Sequence, residues 1–143
     1  MVNSRNIIVY RLYKMLVTAV IPYFSYFLAI QKCNRNSNHT IHGLWIDFER
    51  GGYPQFCNKT VFDLNKLKDL QKDLDTHWPS CYGENSGLWE HEWKKHGTCF
   101  NPKLSFHSYF KKTLDLYKNK INDIKACNKK ECLIPIEFIE LDE

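Results

Sequence analysis

Two short segments hold the residue types from which acid–base chemistry at an anion can be built. Thr40-Ile41-His42-Gly43-Leu44-Trp45 supplies one histidine, and Trp89-Glu90-His91-Glu92-Trp93-Lys94-Lys95-His96-Gly97-Thr98-Cys99 supplies two more. In the second segment two histidines, a glutamate and two lysines fall within the six residues from His91 to His96. Imidazoles titrate near neutrality, so one can take a proton while another gives one. A neighbouring carboxylate tunes an imidazole, and an ammonium group can hold developing negative charge. Cleavage of a phosphodiester needs that combination.

On a helix, at about 100° per residue, His91, Lys95, Glu92 and His96 fall at about 0°, 40°, 100° and 140°. They share one face, and Trp93 and Lys94 point elsewhere. Glu92 and His96 are an i,i+4 pair, so the carboxylate is expected to hold the imidazolium and raise its pKa. A zinc site is the competing reading. Zincins place histidines at i,i+4, whereas here the spacing is one residue longer and the two rings diverge by about 140°. Lys95 between them would also repel a cation. Taken alone, the cluster also fits a solvated, charged helix face with incidental histidines.

These side chains need elements to position them. Tyr23 to Ile30 reads as a buried, aromatic-rich strand, and Thr40 to Trp45 as a short strand ended by Asp47 and the Gly51-Gly52 turn. Val61, Phe62, Leu64, Leu67, Leu70 and Leu74 have helical periodicity. Ser86 to His96 reads as a helix with Ser86 as N-cap and Gly97 as its stop. Phe106 to Ile124 reads as one more helix, and Leu133 to Leu141 as a terminal strand. The mixture predicts an α+β fold, with helices packed over a small antiparallel sheet. His42 comes from a different element than His96, so the site exists only if the sheet forms.

The chain of 143 residues is the length of one domain, and its net charge of +4 would tolerate a polyanion without being a nucleic-acid footprint. Six cysteines at wide spacing suggest three disulfides and an oxidising compartment. Sequons at Asn38 and Asn58 are glycosylation candidates and fit the same route. Arg5, Arg11 and Lys14 precede an apolar stretch interrupted by Pro22, which reads as a signal sequence over about residues 1–21 followed by one domain over 22–143.

Ile41-His42-Gly43-Leu44-Trp45 and His91-Glu92-Trp93-Lys94-Lys95-His96-Gly97-Thr98-Cys99 resemble the two catalytic segments of the ribonuclease T2 family. Phe27-Leu28-Ala29-Ile30-Gln31, Tyr53-Pro54-Gln55-Phe56-Cys57 and Trp78-Pro79 extend the resemblance. It covers the chain from about Tyr23 to Leu116. It implies a secreted or vacuolar acid endoribonuclease, a monomer without stable membrane association, that acts on single-stranded RNA with no metal and no cofactor. By resemblance, His96 is the general base for the ribose 2′-OH and His42 the general acid for the leaving 5′ oxygen. Glu92 and Lys95 would stabilise the phosphorane, and His91 would bind phosphate. Trp45, Asp47 and Tyr53 match a base-binding site; core packing is the alternative for Trp45 and Tyr53.

The resemblance also implies disulfides between Cys57 and Cys99 and between Cys33 and Cys81, leaving Cys127 with Cys132. The chain departs from the family at Ile46, where proline is usual, and at Lys32-Cys33, where Trp-Pro is usual. After about Lys118 the family pattern is compressed, and part of the C-terminal sheet is expected to be missing. A catalytically inactive or truncated relative, acting as a secreted RNA-binding or interaction protein, is the alternative this raises.

Overall fold

The structure, a computed structural model, describes residues 24–137 together with residues 140 and 141. The signal sequence expected over residues 1–21 lies outside the described residues. The architecture is α+β. Strands β1 (Phe24–Gln31), β2 (Thr40–Phe48) and β3 (Glu131–Ile136) form one antiparallel sheet in the order β2-β1-β3. The helices are α1 (Gln71–His77), α2 (Asn85–Lys95), α3 (Phe106–Asn119) and α4 (Ile121–Ala126).

The core forms where the sheet meets these helices. Leu28, Ile30, Ile41, Leu44 and Ile46 are buried together with Trp78, Trp89, Tyr109 and Phe110. Burying each such side chain is worth roughly 1.5–3 kcal/mol. The rings of Trp93 and Phe106 meet edge to face with centroids 5.3 Å apart, and those of Trp78 and Phe110 lie 5.4 Å apart. Two core aromatics also satisfy the backbone of β2, an edge strand of this sheet. The Trp78 indole N–H donates to the His42 carbonyl at 2.8 Å. The Tyr109 hydroxyl donates to the Leu44 carbonyl at 3.1 Å and accepts its N–H at 3.4 Å. Edge groups left without partners would otherwise invite other strands.

Several boundaries differ from the sequence reading. β2 runs on through Asp47 to Phe48. The expected helix from Val61 to Leu74 is broken: the Asp63 side chain accepts the Asn65 N–H and starts a 3-10 turn at Leu64–Leu67, and α1 begins only at Gln71. Val61 is 83% exposed, so its apolar character did not mark a buried face. The helix expected from Phe106 to Ile124 bends at Lys120, and the separate α4 carries Ile124 into the core. β3 starts earlier than expected, at Glu131, and tolerates Pro135 because it is an edge strand. Phe138 and Ile139, assigned to that strand, lie outside the described residues.

All six cysteines are bridged, as Cys33–Cys81, Cys57–Cys99 and Cys127–Cys132. Among the described residues no helix is long and apolar enough to cross a membrane.

Candidate functional site

A β-bulge aims the first histidine. Ala29 pairs with Gly43 and Ile30 with Ile41, so His42 is the extra residue between two registers. A regular strand alternates faces, which would put residues 42 and 45 on opposite sides. The inserted residue reverses that parity. Ile41, Leu44 and Ile46 are therefore all buried in the core, while the rings of His42 and Trp45 meet at 5.1 Å on the other side.

Opposite β2, α2 presents Glu92. Its carboxylate is 1% exposed and accepts the Trp45 indole N–H at 2.7 Å through Oε2. The Nε2 of His42 lies 3.6 Å from Oε1, and the Nε2 of His96 lies 3.9 Å from Oε2. The two histidines thus converge on one carboxylate from different elements. His96 is the C-cap of α2; its N–H donates to the Glu92 carbonyl at 3.0 Å. Its ring stacks on Trp45 at 5.1 Å and faces Tyr53 at 5.7 Å.

The helix ends differ from the sequence reading. α2 begins at Asn85 after an extended Glu84, with no side-chain cap from Ser86. Gly97 does not stop the helix by a left-handed turn; it opens the 3-10 turn Gly97–Cys99. Its lack of a side chain matters because a Cβ there would fall on the Trp93 ring.

Of the four residues expected on one face, Glu92 and His96 are buried, Lys95 is half-buried and His91 is exposed. The Lys95 ammonium lies 5.4 Å from the Tyr53 ring centroid, and His91 lies 6.4 Å from the Phe56 ring. Tyr53 remains 44% exposed. Asp47, near the end of β2, is half-buried, and burial raises its carboxyl pKa.

The electrostatics overturn one expectation. Glu92 does not raise the pKa of His96. Burial pushes His96 down to about 3, helped by the charges of Lys95, His91 and His42. Its Nδ1 is buried without a hydrogen-bond partner among the described residues, so nothing there stabilises an imidazolium. Burial pushes Glu92 up to about 7, against the opposing effects of the Trp45 hydrogen bond and the Lys95 charge. Burial also lowers His42; Glu131 acts to raise it, and His91 and Lys95 to lower it. His91 is lowered by burial and by Lys95. Desolvation exceeds ion pairing because Oε2 is already committed to Trp45 and the histidine approaches are longer than hydrogen bonds.

A clamped loop forms one wall. The Phe56 N–H donates to the Lys95 carbonyl at 2.9 Å, and the Cys57 N–H to the Thr98 hydroxyl at 3.2 Å. The Cys57–Cys99 bridge closes over the same turn. Both glycosylation candidates, Asn38 and Asn58, are exposed; Asn58 also donates an amide N–H to the Thr98 carbonyl at 3.2 Å.

Sequence reasoning missed two contributors. Gly43 is required because a Cβ there would fall on Glu92 Oε2 and stand 2.5 Å from Trp45 Nε1. Trp78 fixes the backbone of His42 itself. A glycine beside a histidine within a strand was the available signal for the first. The second has no local signal, because 36 residues separate the partners. Among the described residues no group of three His, Cys, Asp or Glu side chains is placed to hold a metal ion.

Residues 22–135 match the model of the Ribonuclease T2 family. The chain is 41% identical over 92 residues to Ribonuclease DdI of Dictyostelium discoideum, covering 61% of this chain and 41% of that protein. It is 46% identical over 91 residues to Ribonuclease 3 of Arabidopsis thaliana, covering 60% and 40%. The fold is similar to that of RNase NT in its complex with 5'-AMP, at a TM-score of 0.62 and 28% identity, covering 74% of this chain and 62% of that one. The chain therefore spans about two fifths of the length of the two curated relatives.

Proposed function

The chain belongs to the ribonuclease T2 family, and we propose that it is an endoribonuclease that cleaves single-stranded RNA by attack of a ribose 2′-OH on its own phosphate. The observation that carries this reading is the convergence of His42 and His96 on Glu92 beside Lys95. His96, held neutral far below its ordinary pKa, takes the 2′-OH proton as general base. The 2′ oxygen attacks phosphorus, and the P–O5′ bond breaks as His42 gives its proton to the 5′ oxygen. The product is a 2′,3′-cyclic phosphate; water then opens it, with the two histidines exchanging roles, to leave a 3′-phosphate.

Glu92 has a part that its perturbed ionisation makes possible. An ionised carboxylate would repel the phosphorane. With its pKa pushed up to about 7, Glu92 is a neutral acid in weakly acidic solution and can donate a hydrogen bond to a phosphoryl oxygen. Lys95 supplies positive charge at the rim, and the exposed His91 binds phosphate. Tyr53 offers an exposed aromatic face on which a base can stack, and Trp45 and Asp47 are the other two residues of the proposed base site. The three bridges and the exposed Asn38 sequon support a secretory route.

The test is purified protein on yeast RNA with EDTA present, beside His96→Ala. The expected result is a 2′,3′-cyclic phosphate product and a rate about 10²- to 10⁴-fold lower in the variant. Folded protein that yields no cyclic phosphate sinks the ribonuclease reading. A variant as fast as the parent sinks the role of His96.

A further inference from the structure

At the end of the sheet where β1 leaves Gln31 and β3 enters at Glu131, a cavity of about 450 Å³ is lined by Lys32, Asn34, Arg35, Asn128, Lys129 and Lys130 together with Cys33. Four of those residues are cationic and none is acidic. Among the described residues none of the four is in an ion pair. Four other lysines, Lys94, Lys111, Lys118 and Lys120, are paired with Glu90, Asp115, Asp73 and Glu140 respectively.

The cations sit on anchored backbone. Cys33 is bridged to Cys81, and Cys127–Cys132 closes the other loop. The Lys32 N–H donates to the Lys130 carbonyl at 2.9 Å, and the His39 ring meets the Lys129 carbonyl at 2.7 Å. Anchoring the loops lowers the ordering cost of binding. The same end of the sheet adjoins the candidate site: Glu131, next to Lys130, is close enough to His42 to act on its ionisation.

We infer that Lys32, Arg35, Lys129 and Lys130 form a second polyanion site, which holds phosphates of the RNA strand beyond the one being cleaved. This rests on the proposed ribonuclease reading for the identity of the strand, while the site itself is a claim about phosphate binding. Cations that meet no carboxylate release counterions when they meet phosphates, so the site adds affinity for long strands and none for a dinucleotide. Asn34 and Asn128 add neutral donors that phosphate oxygens accept.

The test separates binding from cleavage. A fluorescent 2′-deoxy oligonucleotide of about twelve nucleotides cannot undergo 2′-OH attack, so its anisotropy reports binding alone. It is titrated across about 50 to 200 mM salt with the parent, with Arg35→Gln/Lys129→Gln/Lys130→Gln, and with Lys66→Gln/Lys68→Gln/Lys72→Gln. The second triple removes the same charge from exposed lysines elsewhere. The expected result for the first triple is affinity weaker by about tenfold or more and a log–log salt slope smaller by about 2, with a much smaller change in the second. Equal losses in both triples, or none in the first, overturn the site. Near-ultraviolet circular dichroism and the charge-preserving Lys129→Arg/Lys130→Arg, expected to bind like the parent, separate charge loss from misfolding. Cleavage is read separately: in the first triple kcat/KM falls for a long RNA and is unchanged for a dinucleoside monophosphate. A parent that binds with this salt pattern but never cleaves refutes the ribonuclease reading and leaves the phosphate site standing.

Discussion

Replacing Glu92 with glutamine should change stability in a pH-dependent way. The carboxylate is 1% exposed, and burial pushes its pKa from 4.5 up to about 7. A pKa raised on folding means that the folded state resists ionisation. The associated stability is fully present below pH 4.5 and is lost as pH rises through about 7. That rise, from 4.5 to about 7, corresponds to about 3 kcal/mol at pH 8. Glutamine keeps an oxygen to accept the Trp45 N–H and removes the titration. The parent should therefore lose about 3 kcal/mol relative to Glu92→Gln between pH 4.5 and pH 8. His96 has the opposite sign: its pKa falls from 6.5 to about 3, so its contribution is present above 6.5 and lost toward 3. Both proteins contain that histidine, so most of its effect cancels in the difference. Urea unfolding at several pH values, with disulfides intact, measures this. A parent-to-variant difference that does not move with pH, or that moves in the parent's favour toward pH 8, refutes the assignment of a buried, reluctantly ionised Glu92.

Three further outcomes follow from the same geometry. Gly43→Ala puts a methyl group onto Glu92 Oε2 and beside Trp45 Nε1; thermal unfolding should show a loss of about 1–3 kcal/mol, and activity should fall with it. The pH profile of kcat/KM should have an acidic optimum. In the proposed roles, the pKa of the acid His42 is lowered from 6.5 and Glu92 ionises near 7, so activity should fall as pH rises past them, while His96 should remain available as the base down to about 3. An optimum above neutrality contradicts it. Opening the Cys57–Cys99 bridge with serines should cost about 4 kcal/mol in the chain-entropy model, read by denaturant unfolding.

The helical cluster from His91 to His96 was legible because its members are neighbours in sequence, and a 3.6-residue period is enough to group them. The fold class was legible for a similar reason: each element carries its own pattern. Boundaries failed where one polar side chain outweighed that pattern, as Asp63 does by capping a 3-10 turn inside an apolar run. The expected ionisation of His96 failed because i,i+4 spacing reports proximity and not burial. Spacing put a carboxylate near an imidazole; it did not say that Trp45 would occupy that carboxylate or that water would be excluded from both.

The sequence by itself determined the kinds of groups present and the order of elements that carry them. Local chemistry and periodicity suffice for that. Only the tertiary structure decided that His42 and His96 converge on Glu92. Their approach depends on a one-residue bulge opposite Ala29 and Ile30, on a strand backbone tied by Trp78 and Tyr109, and on the absence of a side chain at Gly43. Tertiary packing also set the protonation states, because the cost of keeping charge out of water depends on everything that surrounds a group and not on its neighbours in the chain.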